Sequence, residues 1–483
     1  MKKLSRIVFL FMLFATLSIE AVESDKPNII FILTDDQGWS ESSVLMHPDQ
    51  PYSQELYFST PSMERLAAQG RRFSNGYAPA PICTPTRRAL LVGMTTARTR
   101  GSEFKSEFDP RHHLTIPQAL KKVDPNYRCA HFGKWGEQMI AKPDEVGYDE
   151  SDGDTGNLTG NGGNGDKIDL KQFPSATNED PKLMFSLVKR SIDFMERQTQ
   201  AGKPFYLQLS CYAAHYQLQA TETTAKKYER KSAAPRDFPP IFAAMVEEMD
   251  KGIGQVLDAV EKLGIAEKTY IILGADNGGS PHTHVGLQRR ETLVPQSPNY
   301  PLLGYKQELR EGGIRVPFIV KGPGIAANSW SYEPVAHYDL LPTFVDLAGG
   351  DVASLASSGA KLDGGSIKTL LLEGKGEVKR AVPGLVFHRP DKGVSAFRSG
   401  DYKIFHDWNK NKTFLYNLTK DIGEQHDLAE KEPEKLNELK KILFDYLETV
   451  NAEPYSREKI QELRQKQQRI AENKKKREKE NSQ

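Results

Sequence analysis

The sequence contains little cysteine, almost no net charge and no internal repeat. Three cysteines among 483 residues exclude a small scaffold held together by disulfides. With 65 Lys and Arg against 64 Asp and Glu, the formal net charge is +1, so the chain lacks the basic excess that accompanies nucleic-acid binding. The 27% of charged residues, balanced in sign, is not a signature of disorder. The length indicates a globular protein of roughly two to four domains.

Long apolar runs are also scarce, and the one near the N-terminus, residues 7–17, follows Lys2 and Lys3. It is too short to cross a bilayer, which needs about 20 apolar residues. Together with Ala21, a small residue suited to cleavage, this layout predicts a secretory signal peptide over residues 1–21. A buried N-terminal helix is the alternative interpretation. Since no other apolar run is as long, we expect an exported protein, periplasmic or secreted, without a membrane span.

Short apolar runs at residues 28–33, 205–209 and 270–273 are typical of strands that are buried on both faces of a sheet. Residues 241–263 carry apolar side chains at helical spacing. Strands that alternate with helices predict an α/β fold in which helices flank a mostly parallel central sheet. Ligands bind such sheets beyond the carboxyl ends of the strands. We place this catalytic domain over residues 22–375.

The composition becomes polar near residues 370–382, where we expect a domain boundary. Three short strand-like runs and a helix over residues 433–450 follow. They predict a smaller C-terminal α+β subdomain over residues 376–452. Residues 453–483 hold many charges and few apolar side chains, so we expect a charged helical tail. A solvated helix and a contact with anionic glycan are both compatible with such a tail.

Two acid-containing pairs follow two of the predicted strands. Asp35 and Asp36 come after the first strand, and Asp276 and Asn277 come after the strand at residues 270–273. Either pair alone is most simply explained as a turn or a helix cap. Neighbouring carboxylates repel each other unless a cation lies between them, and their oxygens suit hard ions such as Ca²⁺ or Mg²⁺. Two such pairs at one edge of a sheet therefore predict a shared metal site.

A third feature is a cysteine at the predicted start of a helix. Pro85 suits the first turn of a helix, which places Cys83 at the N-terminus. The helix dipole and the free N–H groups attract anions there, and Arg87, one turn further on, reaches the same point. The alternative is a thiol that is merely buried or disulfide-bonded. It is weakened because Cys129 and Cys211 can pair with each other or lie buried on strands.

In combination and in this order, these motifs resemble those of the type I sulfatases, a family of the alkaline phosphatase superfamily. Residues 83–87 match the family signature C-x-P-x-R, which alone would be a weak signal. The two acid-containing pairs match the metal ligands of the family. Further family blocks are matched by residues 133–135, 212–215, 301–306, 311–317, 339–343 and 415–424. The resemblance extends from residue 26 to about residue 430.

The resemblance implies an alkaline phosphatase-like fold and the hydrolysis of sulfate esters. It implies that Asp35, Asp36, Asp276 and Asn277 bind Ca²⁺. It also implies that a maturation enzyme oxidises Cys83 to formylglycine, whose hydrated aldehyde attacks the sulfur of the ester. A second hydroxyl of the hydrate then expels sulfate and restores the aldehyde.

Four further catalytic residues are implied by the resemblance, namely Arg87, Lys134, His215 and Lys306. A sulfate ester is an anion, so an active site must offset several negative oxygens at once. In the family mechanism, Ca²⁺, the arginine, both lysines and a helix N-terminus provide that positive charge. His215, with Lys306, protonates the leaving oxygen of the sugar.

One departure from the family pattern is Gly136, which stands where the family usually has a histidine after G-K-W. That histidine contacts the hydroxyl of the formylglycine. Either another base supplies the contact, or the deprotonation step differs in this protein. The candidates, by their proximity to the motifs in sequence, are His113, His282 and His284.

By analogy with bacterial relatives, we expect a sulfated carbohydrate as substrate, either an algal galactan such as carrageenan or a glycosaminoglycan. The long loops at residues 151–167 and 281–305, with the C-terminal subdomain, are expected to shape the sugar pocket. The candidates to line that pocket are Trp39, Trp135, His388 and Arg389. The sequence does not indicate an oligomeric state.

Two alternative functions stay open. A phosphodiester or phosphonate hydrolase of the same superfamily would share the metal pairs and even the cysteine. Phosphatases of the superfamily commonly use two zinc ions, and the sequence lacks a second cluster of histidine ligands for them. A non-catalytic protein that binds sulfated glycans would explain Gly136 as a lesion. The intact metal pairs, C-x-P-x-R segment and lysines argue against this second alternative.

Overall fold

The computed structural model describes residues 25–455, except residues 162–175, 233–235, 237, 281–292, 294, 296 and 358. The predicted signal peptide, residues 456–483 of the predicted tail, and the candidates His282 and His284 lie outside the described residues. Among the helices that are described, none combines the length and the apolarity needed to cross a bilayer. The described residues therefore comprise most of the predicted catalytic domain and C-terminal subdomain.

An eight-stranded sheet forms the centre of the molecule. In spatial order its strands are β11 (Ser329–Ser331), β2 (Arg71–Phe73), β10 (Phe318–Lys321), β9 (Thr269–Ala275), β1 (Asn28–Thr34), β7 (Phe205–Ser210), β4 (Arg128–Gly133) and β5 (Glu150–Ser151). Within this sheet β10 runs antiparallel to β9 and β2, and all other neighbouring strands are parallel. The predicted α/β fold with a mostly parallel sheet is confirmed.

Helices cover both faces of the central sheet. The α-helices of the described chain are α1 (Pro61–Gln69), α2 (Cys83–Val92), α3 (Thr96–Thr99), α4 (Ile116–Val123), α5 (Met184–Gln200), α6 (Glu222–Glu229), α7 (Pro240–Lys262), α8 (Glu311–Ile314), α9 (Leu340–Leu347), α10 (Val352–Ser357), α11 (Lys368–Glu373) and α12 (Pro433–Thr449). Two small sheets add β3 (Gly76–Tyr77) with β12 (Val335–Ala336), and β6 (Ala176–Thr177) with β8 (Gln219–Ala220).

The apolar residues of β1 show why the sheet is buried on both sides. Successive side chains of a strand point to opposite faces. Ile30 and Ile32 join a core cluster with α1, α5 and α7, whereas Ile29, Phe31 and Leu33 join a second cluster with α2, α4 and α9. A continuous apolar run is therefore what a central strand between two helical layers requires.

The C-terminal part of the chain forms an antiparallel sheet of four strands. These are β13 (Leu385–Arg389), β14 (Val394–Ser399), β15 (Tyr402–Asp407) and β16 (Lys412–Asn417), in sequential order. One face packs against α12, through Ile404 and Leu443 among others, and the opposite face packs against Tyr77 and Tyr338 of the larger unit. The smaller α+β unit is therefore present, while its predicted boundaries stay a prediction.

A buried ionic network joins the two units. Nζ of Lys403 on β15 lies 2.8 Å from Oε1 of Glu311 and 3.1 Å from Oε1 of Glu424. All three side chains are withdrawn from solvent. Glu311 opens α8, only five residues after Lys306, so this network fixes the C-terminal sheet against a segment that leads into the candidate site.

Candidate active site

The two acid-containing pairs lie side by side because β1 and β9 are adjacent parallel strands. The backbone N–H of Asp36 donates to Oδ1 of Asp276 at 3.0 Å, and Nδ2 of Asn277 donates to Oδ1 of Asp36 at 2.9 Å. These residues and Asp35 are fully buried. The structure thus brings together the four side chains that the sequence analysis proposed as metal ligands, at the expected edge of the sheet.

Cys83 is the first residue of α2, and its side chain is buried. Its sulfur and one carboxylate oxygen from each of Asp35 and Asp276 lie within 4.8 Å of one another. The cysteine therefore stands at a helix N-terminus directly beside the acidic pairs. Cys129 and Cys211 are buried and free, so the pairing that the sequence analysis left open is absent.

Two cations reach the acids from α2 and from the end of β4. Arg87 donates to Oδ2 of Asp276 through Nε at 3.2 Å and Nη2 at 2.8 Å. Its Nη1 donates to the carbonyl oxygen of Lys134 at 2.6 Å. Nζ of Lys134 lies 2.5 Å from Oδ2 of Asp35. Arg87 and Lys134 are therefore held as one unit against two different carboxylates.

Lys306 and His215 approach from the other side, where both face Asp36. Nζ of Lys306 lies 2.6 Å from Oδ1 and 2.7 Å from Oδ2 of Asp36. Nε2 of His215 lies 3.7 Å from the same Oδ2. Nδ1 of the ring is 2.6 Å from the carbonyl oxygen of Tyr216, which can only accept, so Nδ1 carries the proton and Nε2 faces the site. All five proposed catalytic side chains thus border the same acidic cluster.

The charges of this cluster oppose the effect of burial on Asp35 and Asp36. Burial alone would raise the pKa of both carboxyls, yet the neighbouring ammonium groups, chiefly Lys134 for Asp35 and Lys306 for Asp36, hold each pKa below its ordinary value. For Asp276, burial and the charge of Asp35 together raise the pKa to about 7. Two carboxylates are therefore firmly ionised, and the third would lose its proton readily to a bound cation.

Burial also determines the protonation of His215 and Cys83. It lowers the pKa of His215 to about 3, against the opposing charge of Asp36, so the free imidazole is neutral at neutral pH. It raises the pKa of the Cys83 thiol, although Lys134 and Lys306 act in the other direction. A thiol that keeps its proton is a poor nucleophile. The unmodified cysteine is therefore badly suited to attack an ester.

The donor set fits a hard divalent cation such as Ca²⁺. Oδ1 of Asp35 and Oδ1 of Asn277 are buried and make no hydrogen bond within the described residues. Buried polar atoms are rarely left without a partner. Carboxylate and amide oxygens are the ligands that Ca²⁺ prefers. The described part of the chain contains one group of three or more His, Cys, Asp or Glu side chains with metal-like spacing, and it is this one.

Gly136, which stands where the family has a histidine, lies close to the first residues of α2. The N–H of Glu137 donates to Oγ1 of Thr84, so this segment packs against the residue that follows Cys83. Gly136 has φ +149°, and a Cβ there would lie 3.0 Å from the side chain of Met139. The candidate substitute His113 stacks on Phe108 and lines a different cavity, so it does not replace the histidine.

The four residues suggested to line the sugar pocket are in fact buried. Trp39 and Trp135 are 1% and 3% exposed and belong to the two main core clusters. His388 is held by Ser395 and the carbonyl oxygen of Glu453, and Arg389 by Asp391. Trp39 and Trp135 are therefore core residues, and their part of the prediction was wrong, whereas a place of His388 and Arg389 in the pocket stays a prediction.

Two residues at the site escaped the sequence analysis. Lys182 is 1% exposed, burial lowers its pKa to about 7, and the charges of Asp35 and Asp36 partly oppose that effect. Asn299 donates through Nδ2 to the carbonyl oxygens of Gly279 and Gly304, which ties the loop after Asn277 to the loop before Lys306. Neither residue belongs to a recognisable sequence motif, although Asn299 lies in the long loop over residues 281–305 that was expected to be functional.

Comparisons with known proteins agree with this geometry. A family model described as Sulfatase matches residues 27–350. A protein named Sulfatase from Formosa agariphila is 27% identical over 522 aligned residues, which cover 90% of each chain. N-acetylgalactosamine-6-sulfatase of Rattus norvegicus is 28% identical over 67% of this chain, which spans only 62% of that enzyme's length.

One solved structure, Ps i-CgsB in complex with k-i-k-neocarrahexaose, has a TM-score of 0.69 at 24% identity. The match covers 87% of this chain and 93% of that one. At this identity the likeness concerns the fold, and it agrees with the alkaline phosphatase-like architecture expected from the motifs.

Proposed function

This chain belongs to the sulfatase family, and on that premise we propose that it hydrolyses sulfate esters on a carbohydrate. Membership makes it a sulfuric ester hydrolase of the type I sulfatases, within the alkaline phosphatase superfamily. The observation that carries the proposal is the placement of Cys83, whose sulfur lies within 4.8 Å of oxygens of both Asp35 and Asp276. The proposed nucleophile, at a helix N-terminus, and the proposed metal ligands thus share one buried site.

The balance of charges explains why such a site would select an anion. Asp35, Asp36 and Asp276 contribute three negative charges when ionised, and Arg87, Lys134 and Lys306 contribute three positive ones. The cluster is therefore neutral by itself, and a bound Ca²⁺ would leave an excess of two positive charges. A sulfate ester carries the negative charge that this excess attracts.

Two groups complete the proposed site. Asp35, Asp36, Asp276 and Asn277 would hold Ca²⁺, which supplies positive charge where negative charge develops on the sulfate group. Conversion of Cys83 to formylglycine by a maturation enzyme would supply the nucleophilic hydroxyl at the start of α2. Burial raises the pKa of the unmodified Cys83 thiol, which would make it a poor nucleophile, so the proposal relies on the hydroxyl of the converted residue.

The remaining residues act as fixed cations and as a proton donor. Arg87 and Lys134 bind sulfate oxygens from the side of α2, and their mutual hydrogen bond keeps them in place. Lys306 offsets charge on the other side, next to His215. Nε2 of His215 faces the site and would carry the proton that the leaving oxygen needs, and the negative charge of a bound sulfate ester favours that protonated form.

The proposed substrate is a sulfated polysaccharide or its oligosaccharides, either an algal galactan such as carrageenan or a glycosaminoglycan. Two of the similar proteins support this choice. One was crystallised with a neocarrahexaose, and the other is named N-acetylgalactosamine-6-sulfatase. We further propose that the protein is exported to the periplasm or secreted, on the strength of residues 1–21.

The proposed function is tested with protein matured in a host that contains the formylglycine-generating enzyme. Initial rates are compared for 4-nitrophenyl sulfate, 4-nitrophenyl phosphate and a phenylphosphonate monoester. The proposal expects the sulfate to be the preferred substrate and sulfated oligosaccharides to release inorganic sulfate. Preference for the phosphate or phosphonate would support the alternative hydrolase, and no turnover at all would support a binding protein.

A matched pair of variants shows whether the measured turnover comes from this protein or from a contaminating enzyme. Cys83→Ala and Cys129→Ala each remove a buried free thiol, but only Cys83 lies beside the acidic cluster. We expect the first to abolish turnover and the second to retain it. Equal activity of the two variants would remove Cys83 from the mechanism.

A further inference from the structure

A pair of tyrosines stands out on the surface of the described chain. Tyr52 and Tyr300 pack edge to face, with ring centroids 4.9 Å apart and an interplanar angle of 79°. Half of the surface of Tyr52 is exposed, and Tyr300 is half-buried. In an edge-to-face pair, the edge of one ring contacts one face of the other ring. The remaining ring faces can therefore contact a ligand.

Tyr52 is anchored to the loop that follows the first acidic pair. The buried guanidinium of Arg236 donates to the carbonyl oxygen of Tyr52 at 2.8 Å, to Oγ of Ser40 at 2.6 Å and to the carbonyl oxygen of Pro298 at 3.2 Å. Ser40 lies four residues after Asp36. One buried cation therefore holds both tyrosine-bearing segments against the loop of the metal site.

Tyr300 is anchored to the loops of the second acidic pair and of Lys306. Its neighbour Asn299 donates through Nδ2 to the carbonyl oxygen of Gly279 at 3.2 Å. The same oxygen accepts the backbone N–H of Lys306 at 3.0 Å. Gly279 follows Asp276 by three residues. The tyrosine pair is thus fixed, through hydrogen bonds of its own segments, to the loops that supply the acidic ligands and the second lysine.

We propose that Tyr52 and Tyr300 form a saccharide subsite, which stacks against a sugar ring next to the sulfated one. This inference rests on the proposed function, because it assigns the neighbouring unit of the same carbohydrate. Aromatic faces suit the apolar C–H face of a pyranose, while the phenol edges suit its hydroxyl groups. The pair carries no charge, so it recognises the sugar rather than its sulfate. Its rigid attachment limits the entropy lost on binding.

The proposal predicts that the preference for a hexasaccharide over an aryl sulfate, measured as a ratio of kcat/KM values, depends on the two tyrosine rings. Variants Tyr52→Ala and Tyr300→Ala are compared with wild type on 4-nitrophenyl sulfate and on hexasaccharides of carrageenan and of chondroitin sulfate. For the better hexasaccharide, we expect the ratio of its kcat/KM to that of the aryl sulfate to fall about tenfold, mainly through KM. Tyr52→Phe and Tyr300→Phe keep the rings and should retain most of the ratio.

Tyr332→Ala is the matched control, because Tyr332 is 54% exposed but contacts His47 instead of the tyrosine pair. This control should leave the ratio unchanged. An equal loss on both substrates in the alanine variants would mean that the tyrosines only support the fold, and no change would mean that they do not touch the sugar. Either result overturns the subsite while leaving sulfatase activity established. Turnover of the aryl sulfate with no hexasaccharide hydrolysed also overturns it, whereas failure on every sulfate refutes the proposed function itself.

Discussion

Arg87 holds Asp276 through two hydrogen bonds to a single oxygen, Oδ2, while Oδ1 of the same carboxylate accepts the backbone N–H of Asp36. Asp276 is therefore a side chain that links α2, the helix that begins with Cys83, to the other acidic pair. Burial and the charge of Asp35 raise the pKa of Asp276 to about 7, so its ionised form is disfavoured relative to that of an ordinary carboxyl. A carboxylate in this setting is favoured by a cation that displaces its proton.

The first prediction concerns this carboxylate. Asp276→Asn keeps the size of the side chain but removes its charge, so we expect calcium affinity to fall and kcat for an aryl sulfate to drop by at least about 100-fold. Asp276→Ala should abolish activity. Calcium binding is measured by calorimetry on matured protein, and circular dichroism checks folding.

Asp258→Ala is the control for that experiment, since Asp258 is exposed and, among the residues that the structure describes, its ion pair is with Arg65 at 2.7 Å. It should bind calcium as wild type does. Full turnover by Asp276→Ala in the presence of a chelator would remove the metal from the account.

The second prediction concerns Lys306, whose ammonium faces both oxygens of Asp36. Burial disfavours its charge, but Asp36 holds the pKa of Lys306 above its ordinary value, so the cation persists at neutral pH. Lys306→Met should lower kcat by about 10²–10³, as the loss of one preorganised donor does. Lys321→Met, which removes an ammonium paired with Glu261, should change kcat less than about twofold.

The third prediction concerns Gly136. Restoring the family histidine there should not improve catalysis, because φ at this residue is +149° and a Cβ would crowd Met139. A non-glycine residue in such a conformation costs about 1–3 kcal/mol. We therefore expect Gly136→His to be less stable in urea and no faster on the aryl sulfate. An increase in kcat would show that a histidine at this position, beside Thr84, can take part in catalysis.

The fourth prediction concerns pH and stability at Asp250 on α7. Its carboxylate accepts the N–H groups of Ser62 and Met63 at the start of α1, but burial still raises the pKa from 3.8 to about 6. Because the folded-state pKa lies above the unfolded one, the group favours folding at low pH. That contribution is lost as pH rises through about 6.

Urea unfolding of wild type and Asp250→Asn at about pH 4.5 and pH 7.5 measures this effect. On acidification from about pH 7.5 to about pH 4.5, the free energy of unfolding should rise more, or fall less, for wild type than for the variant. The other titratable groups are the same in both proteins, so their contributions cancel in this difference. An identical pH dependence for both proteins would assign the titration elsewhere.

Several parts of the fold follow from the sequence alone. The strands β1, β7 and β9 are continuous apolar runs, and α7 shows helical periodicity over its whole length, so their burial in a sheet covered by helices on both faces is encoded locally. By contrast β14 escaped notice because Ser395 and Arg398 are buried polar residues that interrupt the apolar pattern. Their burial depends on partners distant in sequence.

The candidate site shows the same division. Asp35, Asp36, Asp276, Asn277 and Cys83 could be placed because they follow strands or open a helix, and the topology of the sheet brings such points together. Asn299 and Arg236 could not, since each acts through contacts with loops that only the folded chain assembles. Trp39 and Trp135 were misplaced, because a large aromatic residue has the same sequence signal in a core and in a pocket.

The most direct test of the central claim is mass spectrometry of the peptide that contains Cys83, from protein produced with the maturation enzyme. The account predicts that sulfur is lost and oxygen gained at residue 83 alone, and that sulfate-releasing activity rises in proportion to this conversion. An active preparation in which Cys83 keeps its thiol would contradict it.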